Sequence, residues 1–209
     1  MLKHRFQQKQ SEMANISYID LFRHGETKNS LRFNGSTDNP LTENGWSQMQ
    51  ASIDNMTIPW QHIITSPLIR CAAFAQFAAE HLAIPITQDE RLREIHFGDW
   101  EGLSPAELML TDADALSRFW RNPIDNPPPQ AEHLLDFKTR VLSVWADINT
   151  HFSDKNILLI THSGVIRTLL CHIQQHPIER LMEFEVEHGA IKRIQITNHK
   201  YTQQATLSL

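Results

Sequence analysis

Two cysteines among 209 residues, Cys71 and Cys171, are too few and too far apart for a disulfide framework, and neither belongs to a CxxC or metal-spaced set. Both sit in apolar, helix-like runs and read as reduced core thiols of a cytoplasmic protein. No apolar run is long enough to span a bilayer, and the opening MLKHRFQQKQSEMAN lacks the hydrophobic segment of a secretory signal. An excess of basic charge is missing too. A net charge of -5 excludes nucleic acid and anionic membrane as main partners, so an anionic ligand needs a locally positive pocket. The chain has 12 histidines but no HxH, HExxH or similarly spaced cluster, and neither a metal nor a cofactor is expected.

What is present is an alternation of strand-like and helix-like segments. Residues 1–14 read as a polar tail, with Met13 just ahead of the first strand, and 15–209 as one domain. Ile16 to Phe22 is an apolar run ending at a polar, glycine-bearing loop, as in a buried parallel strand. Asp20 interrupts it and reads as a structural carboxylate that needs buried partners. A loop over 31–40 leads to a helix capped by Thr42. Gln61 to Thr65 reads as a strand, Pro67 as the opening of a helix through Leu82, and Ile84 to Thr87 as a further strand. Short helices at 105–110 and 113–120, flanked by tryptophans and prolines, suggest a small helical cap inserted over about 99–131. A long helix from about Glu132 to Phe152 precedes the strand Asn156 to Ile160, the turn Thr161-His162-Ser163-Gly164 and a helix to about Cys171. Ile178 to Leu181 could add a helical turn, and 184–186 with 190–196 reads as a hairpin around His188-Gly189. Such an order implies an α/β fold, a three-layer sandwich around a mainly parallel central sheet.

In sheets of this kind ligands bind beyond the carboxyl ends of the strands. Three such ends carry reactive groups here: Arg23 with His24, Ser66-Pro67 leading to Arg70, and His162 with Ser163 and Gly164. Imidazole is a competent nucleophile near neutral pH and needs orientation rather than activation. Attack on phosphorus builds charge on the equatorial oxygens, which guanidinium groups match in charge and geometry. Arg23 and Arg70 suit that role, amides of Ser163 and Gly164 at a helix start could add donors, and His162 would donate if protonated. A departing alkoxide needs a proton, and Glu94 is the candidate acid. Taken singly, each of these residues has an ordinary structural explanation. His162 could be a satisfied buried histidine, Arg70 a solvated helix residue and Glu94 a surface carboxylate.

The order LFRHGET, TSPLIRCAAFA, LREIHFGDWEG and ITHSGVIR resembles the histidine phosphatase superfamily, with its phosphoglycerate mutase-like fold, over residues 17 to about 195. The resemblance implies His24 as the phosphorylated residue, Glu94 as proton donor, and Arg23, Arg70 and His162 as phosphate ligands. It places Asn34 and Gly35 at the substrate, with Asn29 standing one position before the family's asparagine, while Ser163 is a substrate-binding candidate from its place at the helix start. The runs RFNGSTDNPLTENGWSQM and FGDWEG, with PPQAEHLLDF, are similar to the alpha-ribazole phosphatases of cobalamin assembly, although PPQAEH replaces the usual PPGGES. The implied activity is metal-independent hydrolysis of a small phosphorylated metabolite, with alpha-ribazole 5'-phosphate as one such substrate and a homodimer allowed.

Three alternatives stay open. A phosphoglycerate mutase needs a second anionic site, and the short cap offers few basic residues besides Arg118 and Arg121. A broad-specificity phosphatase keeps the same chemistry, and a phospho-ligand-binding module keeps the fold without turnover. Trp100, Phe119 and Trp120 could stack on an aromatic substrate but read first as core of the cap.

Overall fold

The structure, a computed structural model, describes residues 15–57, 59–198 and 203–207. The polar tail expected over residues 1–14 lies outside them. The strands are β1 (Asn15–Arg23), β2 (His62–Thr65), β3 (Ile86–Gln88), β4 (Ile157–Thr161), β5 (Ile191–Asn198) and β6 (Gln203–Leu207), and they form one six-stranded sheet in the order β3-β2-β4-β1-β5-β6. The first four in that order run parallel, while β5 pairs antiparallel with β1 and β6 antiparallel with β5.

Strand periodicity decides how the sheet is covered, because successive side chains leave it on opposite faces. Ile157 and Leu159 of β4 join Ile19 and Leu21 on one face, under α5 (Leu134–His151) and α6 (Ser163–Ile173). Leu158 and Ile160 join Phe22 and Ile63 on the other, under α1 (Glu43–Asp54) and α2 (Ile69–Leu82). Every residue of β4 is buried, which explains its unbroken apolar run. Cys71 and Cys171 are free thiols buried in the two cores. Asp20, fully buried, accepts hydrogen bonds from Trp60 Nε1 (2.8 Å) and from Arg193 Nε and Nη2 (2.8 and 2.7 Å), which meets the requirement of a buried carboxylate.

A third cluster of Phe33, Trp100, Leu108, Leu116 and Phe119 lies between the 31–40 loop and the short helices α3 (Pro105–Thr111) and α4 (Ala113–Arg121). Ser104 and Glu107 close a reciprocal capping box on α3, so this small unit carries its own local order.

Two expectations need correction. Helix α2 begins at Ile69, not Pro67, and its first free amide is taken by the Asp38 carboxylate (2.6 Å). Residues 184–186 form no strand. The chain there follows a 3-10 segment, Ile178–Glu183, and β5 pairs with β1 from the far end of the sequence instead of closing a hairpin.

Candidate active site

The carboxyl ends of β1, β4 and β2 are neighbours in the sheet, and this adjacency gathers residues that lie more than a hundred positions apart. His24 follows β1 directly and is held by backbone bonds from its amide to Thr161 O (3.0 Å) and from Gly189 N to its carbonyl (3.3 Å). Its Nδ1 lies 2.8 Å from the carbonyl of Gly25. A carbonyl only accepts, so Nδ1 carries the proton and Nε2 keeps its lone pair. Burial, reinforced by the charges of Arg70 and Arg23, holds its pKa well below the ordinary histidine value, and the ring is neutral. Gly25 packs so closely on Gly45 of α1, and Gly45 on the Glu26 backbone, that a side chain at either glycine would drive the loop and helix apart.

His162 is fully buried, with its ring centroid 5.2 Å from that of His24. Nδ1 accepts from Arg70 Nε (3.2 Å), and Nε2 therefore donates to Ser66 Oγ (2.7 Å). Burial and then Arg70 push its pKa well down as well. His162 was expected to donate to an anion only if protonated; here the ring is neutral and both nitrogens already have partners.

Arg70, also fully buried, donates to the carbonyls of Thr37 (2.8 Å), Asn34 (3.1 Å) and Gly35 (2.8 Å) as well as to His162. Four of its five N–H groups are thus engaged, and Arg70 ties the 34–37 loop to His162 from beneath the cavity floor. Arg23 differs. Its Nη1 donates to Val186 O (2.6 Å) and Nη2 to His188 Nε2 (2.9 Å), but Nε is buried without a partner. Burial lowers its pKa to about 10, Glu94 opposing and Arg167 and Arg70 adding to the effect. An unsatisfied buried donor is rare and marks a place where an acceptor is wanted.

Glu94 sits at the amino end of α6. One carboxyl oxygen accepts from Gly164 N (3.0 Å) and Ser163 Oγ (3.4 Å), the other from its neighbouring amide Ile95 N (3.1 Å). The Gly164 amide expected to face a phosphate is thereby occupied by Glu94. A Cβ at 164 would run into the same carboxyl, so glycine is what lets Glu94 lie here.

Above these groups opens a cavity of about 370 Å³. Arg23, His24, Glu94, Ser163 and Asn34 line it, whereas Arg70, His162, Gly35 and Asn29 do not. Asn29 instead accepts on its carbonyl from Asn34 Nδ2, which fixes Asn34 at the rim. Trp100 and Phe119 are buried core of the cap, while Trp120, 41% exposed, stacks over Phe33 at the mouth. Among the lining residues that were not foreseen are Arg167 and His188. Arg167 lies one helical turn beyond Ser163, a spacing that could have revealed it, and donates to Phe184 O (2.9 Å). His188 comes from a segment whose sequence signals only a turn. Among the described residues no group of three or more His, Cys, Asp or Glu is arranged to hold a metal ion, and no helix is long and apolar enough to cross a membrane.

A neutral imidazole with a free Nε2, three arginines and one carboxyl, at the carboxyl edge of an α/β sandwich, suit phosphoryl transfer from an ester. The chain belongs to the histidine phosphatase superfamily (branch 1), which matches residues 19–206. It is 30% identical over 181 residues to 2,3-bisphosphoglycerate-dependent phosphoglycerate mutase 2 of Gloeobacter violaceus, covering 83% of each chain. It is 28% identical over 195 residues to the adenosylcobalamin/alpha-ribazole phosphatase of Escherichia coli, covering 90% of this chain and 94% of that one. The crystal structure of the alpha-ribazole phosphatase from Shigella flexneri superposes with a TM-score of 0.78 at 28% identity, over 92% of this chain and 95% of that one. The family expected from the four motifs is therefore the family found, with phosphatases and mutases both among its relatives.

Proposed function

We propose that this chain is a phosphomonoesterase working through a phosphohistidine at His24. The observation that carries the reading is the Nδ1–H to Gly25 carbonyl bond, which leaves a lone pair on Nε2 of a neutral, buried ring. In the first step Nε2 bonds to phosphorus while the phosphorus–alkoxide bond breaks, and Glu94 gives its proton to the departing oxygen. The phosphorylated ring keeps Nδ1–H and is cationic, a charge that the Gly25 carbonyl stabilises. In the second step water bonds to phosphorus, its proton passes to Glu94, and Nε2 leaves as the neutral ring. Arg23, which lines the cavity beside His24, meets the charge on the equatorial oxygens, with Arg70 and Arg167 adding to the field, and no metal is required for that.

The outer wall favours hydrolysis of an ester with an apolar alcohol over a mutase reaction. It is built largely of Phe33, Phe97, Phe119, Trp120 and prolines, and its outer cation, Arg32, is already bidentate to Glu107 (2.7 and 3.2 Å). A second anionic group would find little there. Names among the relatives make alpha-ribazole 5'-phosphate the first substrate to try. The test is phosphate release from a panel holding that compound, para-nitrophenyl phosphate and 3-phosphoglycerate, with and without chelator. Chelator-insensitive release is expected. Interconversion of phosphoglycerates without release would favour the mutase, and no turnover from acidic to neutral pH would favour a binding module.

A further inference from the structure

Segment 186–190 is stitched to the catalytic end of β1 at several points. Arg23 N donates to Ala190 O (3.0 Å), Gly189 N to His24 O (3.3 Å) and Arg23 Nη1 to Val186 O (2.6 Å). From the other side, Ser52 Oγ of α1 donates to Gly189 O (2.6 Å), and Gly189 takes a φ of +70°, in the left-handed region that favours glycine, with a tight approach to Gln48. This turn is therefore fixed, and it holds the His188 ring against the cavity, 5.7 Å from the His24 ring by centroid.

The contact between Arg23 Nη2 and His188 Nε2, 2.9 Å, has only one chemical sense. A guanidinium cannot accept, so Nε2 is the unprotonated acceptor and the ring's proton is on Nδ1. Burial and the Arg23 charge, against a raising influence of Glu26, bring the His188 pKa to about 4 and keep it an acceptor at neutral pH. Arg23 then has one fixed acceptor on each terminal nitrogen, and its plane is determined. Nε itself is buried without a partner, and Arg23 lines the cavity in the orientation that these two bonds set. An imidazole offers an acceptor of fixed direction, which a water molecule in its place would not.

We propose that His188 is a positioning residue of the phosphate site, fixing the plane and direction of the Arg23 guanidinium where Arg23 lines the cavity beside His24. This rests on the phosphoryl-binding reading above. His188 acts through Arg23, so its removal weakens binding only while Arg23 is present.

The test compares the unmodified protein with His188→Ala, His188→Gln, Arg23→Ala and the Arg23→Ala/His188→Ala double variant. Inorganic phosphate binding is measured by calorimetry, kcat and KM with para-nitrophenyl phosphate, and melting temperature in parallel. His188→Ala is expected to weaken phosphate binding and raise KM about tenfold, with kcat changed less. Glutamine places Oε1 near the position of Nε2 and is expected to restore binding to within about threefold. In the Arg23→Ala background, His188→Ala should change phosphate affinity by less than about twofold. Equal losses in both backgrounds, unchanged binding in His188→Ala, or a glutamine variant that melts normally without recovery would each overturn the inference. Phosphate binding is read without turnover. A protein that binds phosphate in this pattern yet hydrolyses nothing would refute the phosphatase reading and leave the clamp standing, whereas one that binds no phosphate would refute both.

Discussion

Gly164→Ala replaces one hydrogen by a methyl group at a position where that methyl meets the Glu94 carboxyl. Something must shift. The obstructing atom is the end of a side chain rather than backbone, so the carboxyl moves and helix α6 stays. In moving it gives up the bonds from Gly164 N (3.0 Å) and Ser163 Oγ (3.4 Å) that now aim it. General acids contribute about 10²- to 10⁴-fold, so loss of aim should lower kcat/KM for alkyl phosphates about 100-fold, or about 2.7 kcal/mol of barrier. Para-nitrophenyl phosphate, whose leaving group needs little protonation, should lose about tenfold or less. Stability should scarcely move. Alanine gains up to about 1 kcal/mol over glycine in a helix, and losing one hydrogen bond costs about 1 kcal/mol, so the melting temperature should shift by no more than about 4 °C. The assay is steady-state kinetics on paired alkyl and nitrophenyl esters beside a thermal melt, with Glu94→Gln as comparator. Equal losses on both esters, or none, would refute the placement of Glu94 as proton donor, and a collapse in melting temperature would refute the claim that the carboxyl yields first.

Further expectations concern the scaffold. His24, His162 and His188 are all held neutral by burial, with folded pKa values below the unfolded one. The unfolded chain therefore binds more protons below about pH 6.5, and stability should be complete above that pH and fall as pH drops beneath it. Melting temperatures from pH 8 to pH 4.5 check this, and a flat profile would contradict it. Asp20→Ala removes the partner of Arg193 and Trp60 far from the cavity and should cost about 3 kcal/mol in urea denaturation while para-nitrophenyl phosphate turnover persists. Trp100→Ala should destabilise by about 3 kcal/mol or more because Trp100 is cap core. Trp120→Ala should instead raise KM for aromatic phosphates with little loss of stability, since Trp120 stands exposed at the mouth. The same denaturation and kinetic assays separate the two, and a reversed pattern would contradict their assignment.

The layered fold was legible because its signals are local. β4 is an apolar run buried on both faces, β1 is buried from Ile19 to Phe22, and Thr42 accepts from Gly45 N as an N-cap should. Pairing across the chain was not legible. Phe184 and Val186 alternate like a strand, yet their carbonyls serve Arg167 and Arg23, and β5 finds its partner in β1. Strand β6, polar and at the sheet edge, carries no hydrophobic period to reveal it.

The site divides in the same way. His24, Arg23, Glu94, Arg70 and His162 stand in or beside loops after strands, where position in an α/β sequence already suggests chemistry. How they share the work depends on hydrogen bonds that only geometry supplies. Arg70 is spent on the carbonyls of residues 34, 35 and 37, and His162 on Arg70 and Ser66. The free donor belongs to Arg23, and the residue that orients it, His188, lies 165 positions away.

The central claim is that Nε2 of His24 receives the phosphoryl group. The direct measurement is to mix enzyme with a phosphate ester for less than one turnover, quench in alkali, where phosphohistidine survives, and map the phosphate by peptide mass spectrometry. The account predicts an acid-labile phosphate on the peptide containing His24, appearing and decaying at rates consistent with kcat, and neither label nor turnover in His24→Ala. Substantial turnover in His24→Ala, or label on any other residue, would contradict it.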